Sequence, residues 1–287
     1  MFKNLLVPAT GGPEDAPVFA TARLVAEAFG AHLEFLHVRP DTTEVLMSMT
    51  AGGVGGGDAV QSVVDRLEAD GEAHEAVVRT SVHEFMAAAG IAARDAPDGA
   101  GVSAELSVQQ GVRSAWVAQY GRFADLVVMG RGAPDDDTSG ALEATLMDTG
   151  KPLLIAPPNS PAAVGRTVII AWNDTPEAAR AVSCALPFIG RAEKVVIATV
   201  ADDEESHDPT GERLLRALRW HNPAVELRPL LRGDASPVEV LHQYAVACGA
   251  DLLVMGGYSH SRLREIVFGG FTRQTLHDSA IAVLMAH

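Results

Sequence analysis

The sequence predicts an α/β protein built as two tandem copies of one small open-sheet domain, and three observations predict it. Ala124-Asp125-Leu126-Val127-Val128-Met129-Gly130 returns as Ala250-Asp251-Leu252-Leu253-Val254-Met255-Gly256, with one conservative change. Short apolar runs alternate with helical patterns through both halves, the signature of βαβ units and a parallel sheet. A chain of 287 residues also exceeds the size at which a single hydrophobic core usually stops growing.

The strands follow in order. In the first copy they are expected near 4–8, 33–38, 102–108, 125–129 and 153–156; in the second, near 167–172, 194–200, 224–230, 251–255 and 282–285. The openings correspond, Lys3-Asn4-Leu5-Leu6-Val7-Pro8 matching Arg166-Thr167-Val168-Ile169-Ile170-Ala171, and each leads into a turn and an Ala-rich helix. The closings correspond too, Pro152 to Ala156 against Ala282 to Ala286. Pro157-Pro158-Asn159-Ser160-Pro161 then reads as a stiff linker, dividing the chain into domains at 1–158 and 165–287. Strands without polar interruption imply a sheet covered on both faces. Val60, Val63, Val64 and Leu67 share one helical face and are expected in the core, as are Leu214, Leu215 and Leu218.

Residues 45–57, rich in Gly and Met, form an insertion that the second copy lacks. It falls between the second strand and the second helix, and is expected to be a flexible loop.

Charge separates the halves. Residues 1–159 hold 10 Lys and Arg against 22 Asp and Glu, and residues 160–287 hold 12 against 15. The overall balance of −15 argues against nucleic-acid binding, which needs clustered cations to displace counterions from phosphates. Any anion is expected in the second half.

In an open parallel sheet, ligands bind beyond the carboxyl ends of the strands where the winding reverses. In the second copy that crevice receives the turn Trp172-Asn173-Asp174-Thr175 and the long loop after the fourth strand, from Gly256 and Gly257 to Thr272 and Arg273. Glycines at 256, 257, 269 and 270 permit close backbone approach to a phosphate. Ser259 and Thr272 add hydroxyl donors, His260 and Arg262 add positive charge, and a helix starting near Phe271 would aim its positive end at the same point. The competing reading makes these glycines simple turn residues and the arginines a solvated face.

The order of elements, the Asp-Leu-Leu-Val-Met-Gly strand and the later Gly-Gly-Phe-Thr resemble the universal stress protein family across essentially the whole chain. The resemblance implies two tandem domains, each a five-stranded parallel sheet of order 3-2-1-4-5 flanked by helices. It implies an adenine-nucleotide site, ATP with Mg²⁺, in members carrying Gly, two residues, Gly, nine residues, Gly, then Ser or Thr, with an Asp in the first turn. Here Gly256 and Gly269 match, while Ser259, Gly270 and Asn173 stand at the other positions, with Asp174 beside Asn173 and Thr272 two residues beyond Gly270. The first copy departs further, with Thr10 in place of the aspartate and Asp135-Asp136-Asp137 in a shorter loop, so it is expected to be structural. In this family the last strand of the sheet pairs domains. Strands 153–156 and 282–285 are therefore expected to dock the copies as a pseudo-dimer, and a homodimer of the whole chain is also open.

Other chemistry finds little footing. Cys184 and Cys248 lie in apolar helical patterns and read as buried thiols. The ten histidines show no i, i+4 pair, and His207-Asp208 is the least poor metal candidate. There is no Gly-x-Ser-x-Gly elbow and no phosphate loop ending in Gly-Lys-Ser/Thr, so no catalytic residue is nominated. The absence of a membrane-length apolar run and of a signal-peptide layout points to a cytoplasmic protein with no membrane partner. The expected function is a stress-response binding or regulatory module; the alternatives are a nucleotide-independent interaction scaffold and, by fold analogy alone, an ATP-processing enzyme.

Overall fold

The computed structural model describes residues 1–41, 57–95, 101–131, 138–202, 209–257 and 279–287. In chain order the first copy contains β1 (Asn4–Pro8), α1 (Asp15–Phe29), β2 (His32–Arg39), α2 (Gly57–Ala89), β3 (Ala92–Ala93), β4 (Ser103–Gln110), α3 (Arg113–Gly121), β5 (Leu126–Met129), α4 (Thr138–Asp148) and β6 (Leu153–Ile155). The second contains β7 (Thr167–Ala171), α5 (Pro176–Ile189), β8 (Lys194–Ala201), α6 (Pro209–Leu218), β9 (Val225–Leu231), α7 (Pro237–Ala247), β10 (Leu252–Gly256) and β11 (Ala282–Ala286).

Every strand expected from the sequence forms within two residues of its anticipated bounds. All of them join one eleven-stranded sheet of order β3-β4-β2-β1-β5-β6-β11-β10-β7-β8-β9. In each half the order is 3-2-1-4-5, with the two-residue β3 added outside β4 in the first. Neighbours within a half are parallel. The seam between halves is antiparallel, pairing Leu153, Leu154 and Ile155 with Met285, Leu284 and Val283.

The repeated Ala-Asp-Leu has a physical explanation. Asp125 Oδ2 accepts hydrogen bonds from the backbone N–H groups of Lys3 (2.6 Å) and Asn4 (3.1 Å). In the second copy Asp251 accepts from Gly165 (2.8 Å), Arg166 (3.2 Å) and Thr167 (3.3 Å). Each aspartate thus ties the entry of its copy's first strand to the entry of the fourth, satisfying N–H groups that the sheet ladder leaves over.

Strand residues alternate between two apolar layers, as a sheet covered on both faces requires. Leu5, Val7, Phe35, Leu154, Ile170 and Leu284 face one layer; Leu6, Leu36, Leu153, Ile155, Ile169 and Met285 face the other. Both layers run across the seam. On one face it is reinforced by Phe188 at the end of α5, whose ring lies 5.3 Å from Phe2 and 5.4 Å from Phe29.

Two expectations about helices need correction. The stripe of Val63, Val64 and Leu67 is not core: the valines are half-buried and Leu67 is 37% exposed, while Val60 lies outside the residues whose side chains are described. The buried residues of the 33-residue α2 are instead Val78, Val82 and Met86, because only its carboxyl-terminal half packs on the sheet. In α6, Leu218 is buried while Leu214 and Leu215 pack against the core from its edge. The expected insertion at 45–57 lies outside the described residues except for Gly57, where α2 starts.

Candidate functional site

The carboxyl ends of β7 and β10, adjacent and parallel, bring together the turn and the strand end that the sequence nominates in the second copy. In the turn, Thr175 is the N-cap of α5, its Oγ1 accepting from the Ala178 N–H (3.2 Å) and donating to Asn173 Oδ1 (3.0 Å). Pro176 follows in the first turn, where its missing N–H costs nothing. Asp174 has φ +41°, a left-handed conformation that Asp tolerates better than most residues.

Gly256 closes β10 against the same helix start. A Cβ there would lie 2.6 Å from Ala178 N and 2.8 Å from the Glu177 carbonyl carbon. Gly257 turns elsewhere: its N–H donates to the Ala286 carbonyl (2.9 Å), and its α-carbon faces Met285 and Leu146 of α4. Asn173, Asp174, Thr175 and Gly256 therefore share the positive end of α5, while Gly257 extends the sheet. Ser259, His260, Arg262, Gly269, Gly270, Phe271 and Thr272 lie outside the described residues, as do Asp135 to Asp137 and the His207-Asp208 pair.

The matching crevice of the first copy is filled by its own side chains. Asp15, 3% exposed, accepts from Thr10 N–H at 3.0 Å and from Gly11 N–H at 2.7 Å. Thr10 Oγ1 lies 2.6 Å from Glu14 Oε1 and 2.8 Å from Asp15 Oδ1, and also accepts from Gly12 N–H at 3.0 Å. One hydroxyl thus stands between two carboxyl groups. Burial pushes the Asp15 carboxyl above its ordinary value, against the pull of the Thr10 and Gly11 N–H groups and with a further push from Glu14. The space left among Pro8, Thr10, Glu14, Asp15, Arg113 and Gly130 is about 20 Å³, room for one water.

Beside it lies a feature with no spacing signal in the sequence. His37 on β2 is 1% exposed, with Nδ1 3.1 Å from the Ala9 carbonyl and Nε2 without a hydrogen-bond partner. His74 of α2 stands over it, ring centroids 5.6 Å apart, with Nε2 2.6 Å from the Thr10 carbonyl. Burial holds the His37 imidazole below its usual value; the Ala9 hydrogen bond opposes this, and His74 and Arg113 add to it. Both rings line or border a cavity of about 340 Å³. A histidine set between Leu36 and Val38 in an otherwise apolar strand end is its one sequence clue. Cys184 and Cys248 are partly buried, and burial pushes the Cys184 thiol up. Among the described residues no three His, Cys, Asp or Glu side chains gather to hold a metal, and no helix is long and apolar enough to cross a membrane.

Comparison with known proteins agrees with the topology. Residues 165–287 match the model of the universal stress protein family. The whole fold is similar to a universal stress protein from Archaeoglobus fulgidus DSM 4304, at 14% identity and a TM-score of 0.69 over 99% of this chain and 97% of that one. It is also similar to a functionally unknown protein from Pseudomonas aeruginosa PAO1, at 14% identity and a TM-score of 0.53 over 99% and 92%. No curated protein matches the sequence. Residues 165–287 belong to the universal stress protein family, and the chain as a whole is built as two copies of that fold.

Proposed function

We propose that the protein is a stress-linked binding module whose second half holds an adenine nucleotide, ATP, at the carboxyl ends of β7 and β10, while the first half serves as its structural partner. The observation that carries this reading is the contrast between the two crevices. In the first copy Glu14, Asp15 and Thr10 close the space to about 20 Å³ and place carboxylates where phosphates would sit. In the second, the neutral Asn173 amide and the start of α5 stand at the corresponding point, in the half that carries far less negative charge.

The residues fit a nucleotide in a limited way. Asn173 offers an amide to ribose hydroxyls, and the helix start favours an anion. Asp174 is one carboxylate beside the turn, which suits Mg²⁺ arriving with the phosphates rather than held in a protein cage. The loop from Ser259 to Thr272, with Arg262, Gly269 and Gly270, would complete the phosphate contacts. No residue is assigned a role in bond-breaking, so the protein is read as a binder rather than an enzyme, acting in the cytoplasm.

One observation favours a second reading, a nucleotide-independent interaction scaffold. Thr175 is fully used as a helix cap, and Gly256 makes room for the protein's own helix, so neither needs a ligand to explain it. Isothermal titration of the full chain with ATP and Mg²⁺ decides between them. Saturable heat, weakened by Gly269→Ala, supports the nucleotide; no heat at millimolar ATP leaves the scaffold.

A further inference from the structure

The helices α2 and α6 hold the same place in the two copies. Each follows the second strand of its copy, and both pack into the same apolar layer, through Val78, Val82 and Met86 in α2 and through Leu214, Leu215 and Leu218 in α6. Their charges are opposite. Along residues 65–76, Asp65, Glu68, Asp70, Glu72 and Glu75 stand against Arg66 alone; along residues 209–221, Arg213, Arg216 and Arg219 stand against Glu212 alone.

On α6 the outer face is Arg213, Arg216, Ala217 and Trp220, at i, i+3, i+4 and i+7, and all four are exposed. The turn after the helix keeps that register, since the Arg219 N–H donates to the Leu215 carbonyl (3.1 Å) and the Trp220 N–H to the Ala217 carbonyl (3.3 Å). Trp220 leaves 90% of its surface in water, an unusual position for a large ring whose apolar area favours burial. The ion pairs of the second half engage Arg166, Arg180, Lys194, Arg228 and Arg232; among the described residues none forms at Arg213, Arg216 or Arg219. Trp and Arg side by side are the residue types that dominate the energetic centres of protein interfaces.

The complementary face is on α2. Leu67, Asp70, Gly71 and His74, at i, i+3, i+4 and i+7, turn towards the cavity of the first copy. Asp65, Ala69, Glu72 and Ala76 lie on the opposite side of the helix and are all exposed. Their methyl groups leave a flat strip between carboxylates, on which an indole can lie. The two faces cannot meet within one chain: α2 packs over β2 and β4 and α6 over β8 and β9, so the width of the sheet separates them, about 40 Å at ~4.8 Å per strand.

We propose that α6 of one chain docks on α2 of a second copy of this chain, setting Arg213, Arg216 and Trp220 on the strip of Asp65, Ala69 and Glu72. A second copy is the partner because it carries the complement at the structurally equivalent helix, and because the half that offers the arginines holds far less negative charge than the half that receives them. Each chain presents both faces. The contact is therefore heterologous and continues from chain to chain into a ring or a filament. It touches neither crevice, so it stands apart from the nucleotide reading.

Sedimentation velocity of the full chain tests this. In about 0.1 M NaCl, where charges beyond ~10 Å are screened but direct contacts are not, the sedimentation coefficient is expected to rise with protein concentration past that of a dimer; in about 1 M NaCl association should weaken at least about tenfold. Arg213→Glu with Arg216→Glu, and separately Asp65→Arg with Glu72→Arg, should each weaken association at least about tenfold, and Trp220→Ala should do the same. An equimolar mixture of the two charge-reversed proteins should associate again, because each reversed face meets its complement, and that recovery shows that both are folded. The single reversals Arg216→Glu and Glu72→Arg repeat the comparison if a double variant loses the parent's circular dichroism spectrum. The proposal is overturned if the parent chain stays monomeric or stops at a dimer, if the reversed variants associate as the parent does, or if their folded mixture fails to associate. It is also overturned if phosphatidylglycerol vesicles bind a monomeric chain through Trp220, which would assign the α6 face to an anionic membrane.

Discussion

Leu154 of β6 and Leu284 of β11 stand opposite each other across the antiparallel seam, and neither exposes any surface. Parallel sheets end in edges that must be covered, and each copy covers its own with the last strand of the other. The seam therefore belongs to both cores. Leu154→Ala and Leu284→Ala should each lower the unfolding free energy by about 3 kcal/mol, and the double variant by less than the sum, because the two side chains share one contact. Urea denaturation followed by circular dichroism checks this; strict additivity would mean that the two leucines act independently.

Gly256 and Gly257 should respond differently to the same change. A methyl at 256 meets backbone atoms of Glu177 and Ala178 under 3 Å away, and neither can move without lifting α5 from the sheet. The nearest neighbour of a methyl at 257 is the flexible end of Met285 at 3.4 Å. Gly256→Ala should cost about 1–3 kcal/mol and Gly257→Ala well under 1 kcal/mol, in the absence of any nucleotide. Thermal melts of the two variants compare them directly.

Asp125 and Asp251 perform the same task in the two copies, so Asp125→Ala and Asp251→Ala should destabilise alike, each by about 1–3 kcal/mol, as strand-entry N–H groups lose their acceptor. Hydrogen exchange should show the loss locally, with faster exchange at Lys3 and Asn4 in one variant and at Gly165 and Thr167 in the other. Exchange that accelerates evenly over both copies would contradict this assignment.

His37 sets a pH dependence whose sign follows from its burial. Its folded-state value lies below the ordinary 6.5, so below that pH the unfolded chain takes up the proton more readily than the folded one. The stability His37 contributes is present above pH 6.5 and declines as the pH falls towards its folded value. His74, Arg113 and Glu75 face the same group, the first two adding to the downward shift and Glu75 opposing it. The melting temperature should fall between pH 7.5 and pH 5.5, and fall less in His37→Asn. Equal falls in both proteins would remove His37 as the cause.

The central strands were legible because residues buried on both faces leave nothing polar in the run. Leu5-Leu6-Val7, Leu153-Leu154-Ile155 and Val283-Leu284-Met285 announce themselves by composition. Helix faces were less legible. The stripe Val63, Val64, Leu67 has the right period, yet period says only that a face is apolar, and the length of α2 carries those turns past the sheet. In the candidate nucleotide site, Asn173, Asp174, Thr175 and Gly256 do come together, because the turn after β7 and the end of β10 leave adjacent parallel strands. The roles of Thr175 as a cap and of Gly256 as clearance for a helix were not visible, since each depends on where Ala178 lies in space.

The sequence by itself determined the repeat, the strand positions and the doubling of the fold, because these follow from local apolar pattern and from self-similarity along the chain. Only the tertiary structure decided that Asp15 fills the first crevice and that His37, Arg39, His74 and Gln110 wall one cavity. The three elements that carry those residues, β2, α2 and β4, lie tens of positions apart in the chain, and the chemistry of the wall arises from burial and from neighbours that no local spacing rule connects.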